Sequence, residues 1–273
     1  MAELPPPSVH PTAVLTGDID LAPGVVVGPY CVLDGPIKIG PGTKLLPHTT
    51  VSGPTHIGAQ CVLGPSASVG ADPQHRGYDG SETWLVIDDD VIVREFASVH
   101  RATKPGIDNA TRIGSGTMVM ACAHVGHDCV VGKNVTMVNG ALLAGHVTVG
   151  DGALLAGDSG VHQFCRIGRM AVLGANETAL RDVVPFGLFR HGGHRAYNAV
   201  GVRRSGMPVD TVRAIRRVFT ALHHRKSFVR GLEELRARPE YATLPPEVRE
   251  IADFAAGTKR GIHASAGQGD SGE

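Results

Sequence analysis

The chain has 273 residues, 42% of them hydrophobic, which is enough to bury a substantial core in one or two domains. Lys plus Arg and Asp plus Glu both number 26, and the resulting zero formal net charge argues against non-specific binding to nucleic acid or to an anionic membrane. Apolar runs fall short of the roughly 18 residues that a spanning helix needs, and MAELPPPSVHP has neither a basic n-region nor an apolar h-region, so a cytoplasmic protein with no membrane insertion is expected. Cys31, Cys61, Cys122, Cys129 and Cys165 form no CxxC pair, which makes free thiols the default. The 36 glycines against 7 Phe, 4 Tyr and 1 Trp suggest a narrow interior filled by small and branched aliphatics.

From residue 15 onward aliphatics recur every six residues: Leu15, Leu21, Val27, Leu33, Ile39, Leu45, Val51, Ile57, Leu63 and Val69. Four places after each stands a small or β-branched residue, such as Ile19, Val25, Cys31, Thr43, Thr49 or Cys61. The frame returns at Ile87, Val93 and Val99, then runs from Ile113 through Val119, Val125, Val131, Met137, Leu143, Val149, Leu155, Val161 and Ile167 to Leu173. A helix has period 3.6 and a strand period 2, so neither produces six. One short strand plus one corner does, and three such units close a coil of a triangular prism, with coils stacked about 4.8 Å apart. The expected fold is therefore all-β, a parallel β-helix of hexapeptide repeats, and resemblance to hexapeptide-repeat transferases implies a left-handed one.

Residues 9–188 are assigned to this β-helix. Two polar stretches break the frame, 71–84 (ADPQHRGYDGSETW) and 101–110 (RATKPGIDNA), and must loop out as insertions. Residues 189–257 read as a mainly helical C-terminal segment: Val212, Ile215, Phe219 and Leu222 have helical spacing with Asp210 as a cap, and Pro246 through Ala256 forms a helix ending at Gly257. Residues 258–273, including HASAGQGDSGE, read as a disordered tail.

The repeat frame also sorts the histidines. Val125, Leu143 and Val161 are eighteen residues apart and stack in one column, so His124, His127, His146 and His162 line one edge of the prism over three coils, with His100 joining them. A single polar corner residue on a solenoid ordinarily faces solvent, whereas four stacked imidazoles indicate a site. Clustered neutral imidazoles can serve as general base or bind metal, and Asp128 beside His127 can fix its tautomer or simply occupy a turn.

Several strings carry a closer resemblance: HPTA (10–13), SVHRAT (98–103), AHVGHDC (123–129), LLAGHV (142–147), VHQFC (161–165) and GVRRSG (201–206). On these, residues 9–257 resemble the bacterial acyl-carrier-protein–UDP-N-acetylglucosamine O-acyltransferases of lipid A biosynthesis. The resemblance implies His127 as the base that deprotonates the sugar 3-hydroxyl, Asp128 as its partner, and the Gly145 N–H as oxyanion donor. It implies His100, His124, His146, His162 and Gln163 as sugar and diphosphate contacts, Asn198 and Arg204 at the nucleotide end, and Gly174-Ala175 as the limit on acyl length. It further implies acyl carrier protein and a UDP-sugar as partners, a homotrimer whose cleft lies between neighbouring prisms, and no cofactor or metal. Arg203, Arg204, Arg213, Arg216 and Arg217 would offer docking contacts to the acidic carrier, or form a solvated helix face.

The chain departs from the family pattern where Asp-Leu-Lys-Tyr is usual. It has His75, Arg76, Gly77 and Tyr78 there, so Arg76 is the candidate to replace the lysine charge. Val200 replaces a glutamate, and a loop near 189–196 is about two residues short. Three alternatives remain at this point: an N-acyltransferase acting on an amino-sugar nucleotide, a metalloenzyme of the γ-carbonic-anhydrase type, and a non-catalytic relative.

Overall fold

The computed structural model describes residues 4–223 and 227–264. Its strands form three sheets of eleven, nine and eight strands, parallel except at the last strand of the eleven, in which neighbours are mostly the third strand on in sequence. This is the prism that the period of six predicts. Registers follow the frame: Val125 pairs with Leu143, and Leu143 with Val161, along the nine-stranded sheet. The repeating aliphatics and the small residues four places on fill the interior together, with Cys31, Cys61, Cys129 and Cys165 among them. Burial pushes the Cys61 thiol up to about 11 and that of Cys129 up to about 12, so neither forms a thiolate nucleophile near neutrality. Cys122 stands exposed at a corner.

Each coil turns its corners in a fixed way. The residue three past the inward aliphatic takes a left-handed conformation, as at Tyr30, His48, Asp128, His146 and Phe164. The residue two past it mostly stays out of the backbone ladder, with Ala59 and Lys133 donating instead to the Asp89 and Asp151 carboxylates, and Pro23, Pro29, Pro41, Pro47 and Pro65 occupy that position where no donor is needed. The breaks at 71–84 and 101–110 carry a short antiparallel bridge between Thr83 and Pro105 and a 3-10 turn, Ile107–Asn109.

The C-terminal segment is more structured than expected. Residues 189–196, expected as a shortened loop, lie within a hairpin of strands Gly187–Arg190 and Gly193–Tyr197 that extends the eleven-stranded sheet. His191 and Gly192 both take positive φ at its two-residue turn, the geometry that suits a twisted hairpin. Among the described residues four helices follow: α1 (Ala199–Arg204), α2 (Val209–His223), α3 (Phe228–Arg236) and α4 (Pro246–Ala256). Asp210 is not a cap. It lies inside the first turn of α2, paired with Arg213 at 3.1 Å, because the helix starts one residue earlier at Val209, just after Pro208. The helices pack Ile215, Phe219, Phe228, Leu232, Val248 and Ile251 over Val184 and Phe186 at the end of the prism.

Part of the expected tail is ordered. Asp182 is buried; it accepts bonds from Arg166 and from Thr258 Oγ1 at 2.8 Å, while His263 Nε2 accepts the Leu180 and Arg181 N–H groups at 3.1 and 3.0 Å. These contacts fix residues 258–264 against the last coil; the remainder of the expected tail, 265–273, lies outside the described residues.

His194 carries a measurable consequence. It is buried, stacks on Phe228 at 4.9 Å between centroids, and has no hydrogen-bond partner at either ring nitrogen. Burial pushes its pKa down to about 3, so the folded state holds the neutral ring while an unfolded chain protonates it below about 6.5. Stability is therefore expected to fall as pH drops through that window, by about 1.4 kcal/mol per pH unit from this group. His194→Phe keeps the stack without the titration and should remove that slope, some 2 kcal/mol between about pH 6.5 and about pH 5, in denaturant midpoints of variant and parent.

Candidate active site

The corner that follows the nine-stranded sheet gathers the predicted histidines in two groups. Deeper on the face, Ser98 pairs in register with His124, and the Ser98 hydroxyl bonds His124 Nδ1 at 2.8 Å. The His100 ring stands edge-on to His124 at 5.2 Å, and its Nδ1 bonds the Asp72 carbonyl, which supplies the register that the insertion hides in the sequence. Burial, followed by the neighbouring His100 and His127 rings, pushes His124 down to about 4; burial also lowers His100 and His146. All three are neutral imidazoles at neutral pH.

At the corner itself His127 is nearly buried, and its Nδ1 bonds Asp128 Oδ2 at 2.7 Å. The Asp128 carboxylate is gripped from the second insertion: Thr103 N–H donates to Oδ1 at 2.9 Å and the Thr103 hydroxyl to Oδ2 at 2.8 Å. The Asp128 N–H in turn donates to Thr111 Oγ1 at 2.8 Å. Burial opposes the charge on Asp128, yet the bonds from Thr103 and His127 and the nearby His146 outweigh it and hold the carboxyl below its usual range. With Asp128 ionised, His127 carries its proton on Nδ1 and presents a free lone pair at Nε2.

Gly145 lies directly under that ring. A Cβ there would stand 2.4 Å from His127 Cε1 and 2.7 Å from Nε2, so only glycine fits. Gly145 sits two past Leu143, the same corner position the prolines use elsewhere, and its N–H has no acceptor. A basic nitrogen and an unused backbone donor therefore share one side of the corner. On the next coil His146 stacks on Phe164 at 4.6 Å, and its Nε2 lies 3.5 Å from Asp128 Oδ2. His162 follows, half-buried, with Arg260 Nη2 3.2 Å from its Nδ1, and Gln163 is exposed beside it.

Other predicted positions lie elsewhere. Gly174 and Ala175 follow the eleven-stranded sheet, so they belong to a different corner from the histidines. Asn198 is the N-cap of α1: its Oδ1 accepts from Gly201 N–H at 2.9 Å and its Nδ2 donates to the Met170 carbonyl at 2.9 Å. Arg204 is exposed in the last turn of α1, and Arg203, Arg213, Arg216 and Arg217 are exposed on α1 and α2. Arg76 is exposed at the tip of the first insertion. The guanidinium that orders this insertion is instead Arg101, which pairs with Asp72 and donates to the Gly70 carbonyl at 3.1 Å.

A prism of hexapeptide repeats with a carboxylate-held histidine over an unbonded glycine N–H defines a hexapeptide-repeat acyltransferase. The family models agree: "Bacterial transferase hexapeptide (six repeats)" matches residues 110–145, and "Udp N-acetylglucosamine O-acyltransferase; Domain 2" matches 182–263. The chain is 44% identical to the acyl-[acyl-carrier-protein]–UDP-N-acetylglucosamine O-acyltransferase of Leptothrix cholodnii over 93% of this chain and 98% of that one. Its counterpart in Paraburkholderia phymatum is 42% identical over the same shares. Among solved structures, the UDP-N-acetylglucosamine acyltransferase of Francisella novicida superposes with a TM-score of 0.88 at 29% identity over 96% of each chain. LpxA from Acinetobacter baumannii gives 0.85 at 33% identity over 93% of this chain and 99% of that one. The chain belongs to the acyl-[acyl-carrier-protein]–UDP-N-acetylglucosamine O-acyltransferase family.

Proposed function

We propose that the chain transfers an acyl group from acyl carrier protein to the 3-hydroxyl of UDP-N-acetylglucosamine, the opening step of lipid A synthesis, with His127 as general base. The observation that carries the base assignment is the His127 ring packed against the backbone of Gly145, whose N–H is unbonded, with Asp128 fixed behind the ring. His127 Nε2 takes the proton of the sugar hydroxyl, and Asp128 stabilises the imidazolium that forms. The oxygen attacks the thioester carbonyl, and the tetrahedral oxyanion is met by Gly145 N–H. As the intermediate collapses, the carrier thiolate leaves and recovers the proton from His127. No acyl-enzyme is required, which agrees with four cysteines being sealed in the prism. The γ-carbonic-anhydrase reading loses its support to the family's C-terminal part, which is present over residues 182–263.

The acceptor follows from the same site. His124, His146, His162 and Gln163 would hold sugar and diphosphate groups, with His100 behind them. Asn198 is occupied in capping α1, so its contribution would be through backbone position as much as through its amide. The Gly174-Ala175 pair and Arg204 lie on other corners or at the end of the prism, so one chain does not bring them to His127. A homotrimer would, by laying one prism's histidine corner against its neighbour. The exposed α1 and α2 arginines would then receive the acidic carrier. Action in the cytoplasm goes with these substrates, and among the described residues no helix is long and apolar enough to cross a membrane.

The experiment is incubation with UDP-N-acetylglucosamine, its 3-amino analogue and a panel of acyl-carrier-protein thioesters, read by mass spectrometry. An O-acylated sugar nucleotide supports the reading; product from the amino acceptor alone would replace it with N-acyl transfer. The Ala175 methyl is expected to shorten the preferred chain, so Ala175→Gly should raise transfer of a fourteen-carbon chain relative to a ten-carbon one, by the roughly 10–200-fold range of one methylene at most. Equal ratios in variant and parent would remove Ala175 from that role. Thr103→Val keeps the backbone donor to Asp128 and deletes the hydroxyl one; kcat is expected to fall roughly tenfold with little change in KM, the low end for a partner that orients a catalytic group.

A further inference from the structure

The corner that carries the proposed base is also a cluster of metal-ligating groups. His127, Asp128 and His146 each place one donor atom within 4.8 Å of the others. Asp128 Oδ2 is 2.7 Å from His127 Nδ1 and 3.5 Å from His146 Nε2. Around tetrahedral zinc, with bonds of about 2.0–2.2 Å, ligand atoms stand about 3.3–3.6 Å apart, so two of the three separations need adjustments below about 1 Å. His146 is placed to make the remaining one: it is a third exposed, stacked on Phe164 and edge-on to His127.

A further imidazole stands at the rim. His75, from the first insertion, lies edge-on to His127 with centroids 5.5 Å apart. It is exposed and held only by a 3.2 Å bond from Gly77 N–H to its Nδ1, and an ion could take that lone pair instead. Three imidazoles and one carboxylate suit zinc rather than magnesium or calcium, which prefer oxygen throughout.

We propose that His127, Asp128 and His146 form a zinc site, closed from the rim by His75 once its ring turns inward, whose occupancy blocks the reaction. Zinc takes the His127 Nδ1 lone pair and the Asp128 charge. The proton that Nδ1 carried moves to Nε2, so the nitrogen that must accept the sugar proton becomes an N–H donor, and no oxidant or reductant is involved. The metal is thus an inhibitor here, not a cofactor. The inhibition rests on His127 being the base; the binding of the ion does not.

The test is titration of the full chain, stripped with chelator, with Zn²⁺ by calorimetry and with Co²⁺ by visible absorption. One ion per chain and an intense tetrahedral Co²⁺ band are expected. His146→Ala should weaken binding 10–100-fold and His75→Ala by a smaller factor, while His162→Ala should leave it unchanged. Asp128→Asn, which changes one atom of the site, is a second check should His146→Ala fold poorly. No saturable binding, or equal affinity in the parent, His146→Ala and Asp128→Asn, would overturn the site. Zinc saturation with undiminished acyl transfer would leave the site standing and remove His127 as the base.

Discussion

His127→Ala is expected to lower kcat by about 10²–10⁴-fold, the range for loss of a positioned general base, with KM for the sugar nucleotide changing far less. The fold should survive. The inward anchor of that coil is Val125 and the ring itself points to the corner, so no core contact is lost. Asp128→Asn should approach the same loss by another route. Thr103 N–H and hydroxyl both donate to the present carboxylate, so an asparagine amide would place donors against donors, or turn its NH₂ toward His127 Nδ1. Either outcome favours the tautomer with the proton on Nε2, the wrong nitrogen for the reaction. The double variant should then be little worse than either single one, since both changes remove one unit of machinery. Steady-state rates at a fixed acyl chain length decide it; residual activity within about threefold of the parent in His127→Ala would assign the base elsewhere.

The prism was legible in the sequence because its physics is one-dimensional. Each coil repeats the same inward aliphatic, so a single frame from Ile113 to Leu173 states both register and stacking. The same arithmetic puts His124, His127, His146 and His162 along one edge of the prism. It stopped where the chain leaves the frame. Thr103 grips Asp128, Arg101 ties down Asp72, and His75 reaches His127, yet all three come from insertions whose paths no period describes. Two signals for the missed C-terminal elements were present at short range. The positive-φ pair His191-Gly192 marks a hairpin, and Ser227 caps α3 ahead of Phe228, Leu232 and Leu235 at helical spacing.

The histidine column also shows why one corner became a site while the others did not. Most corners leave the N–H two past the inward aliphatic out of the backbone ladder; Ala59 and Lys133 spend it on the Asp89 and Asp151 carboxylates, and at Pro29 or Pro47 the chain discards it. At the corner of the nine-stranded sheet the same position carries His127, Gly145 and Gln163 on successive coils. Stacking at the inter-strand spacing therefore sets a base, an open donor and an amide in a row. Asp128 and His146, three past their aliphatics, take the left-handed corner conformation that Asp and His tolerate better than most residues. The solenoid supplies the spacing, and the choice of residues at two corner positions supplies the chemistry.

That argument makes Gly145 the most informative substitution after the base. Gly145→Ala puts a Cβ 2.4 Å from His127 Cε1 and must push the ring off its Asp128 bond, so a loss on the order of 10²-fold or more in kcat is expected. Gly145→Pro adds a Cβ at nearly the same place and also deletes the N–H, at a corner position where five prolines already show that the backbone accepts the ring. Comparing the two variants with each other, rather than with the parent, cancels most of the steric term and isolates the donor. The proline variant is expected to be slower than the alanine variant by a further 10²–10³-fold, the effect of removing one oxyanion-hole donor. Matching thermal midpoints for the two would show that the difference lies in the transition state and not in folding. Equal rates would mean that Gly145 serves only to make room for His127, and that the developing oxyanion is met by a group from outside this corner.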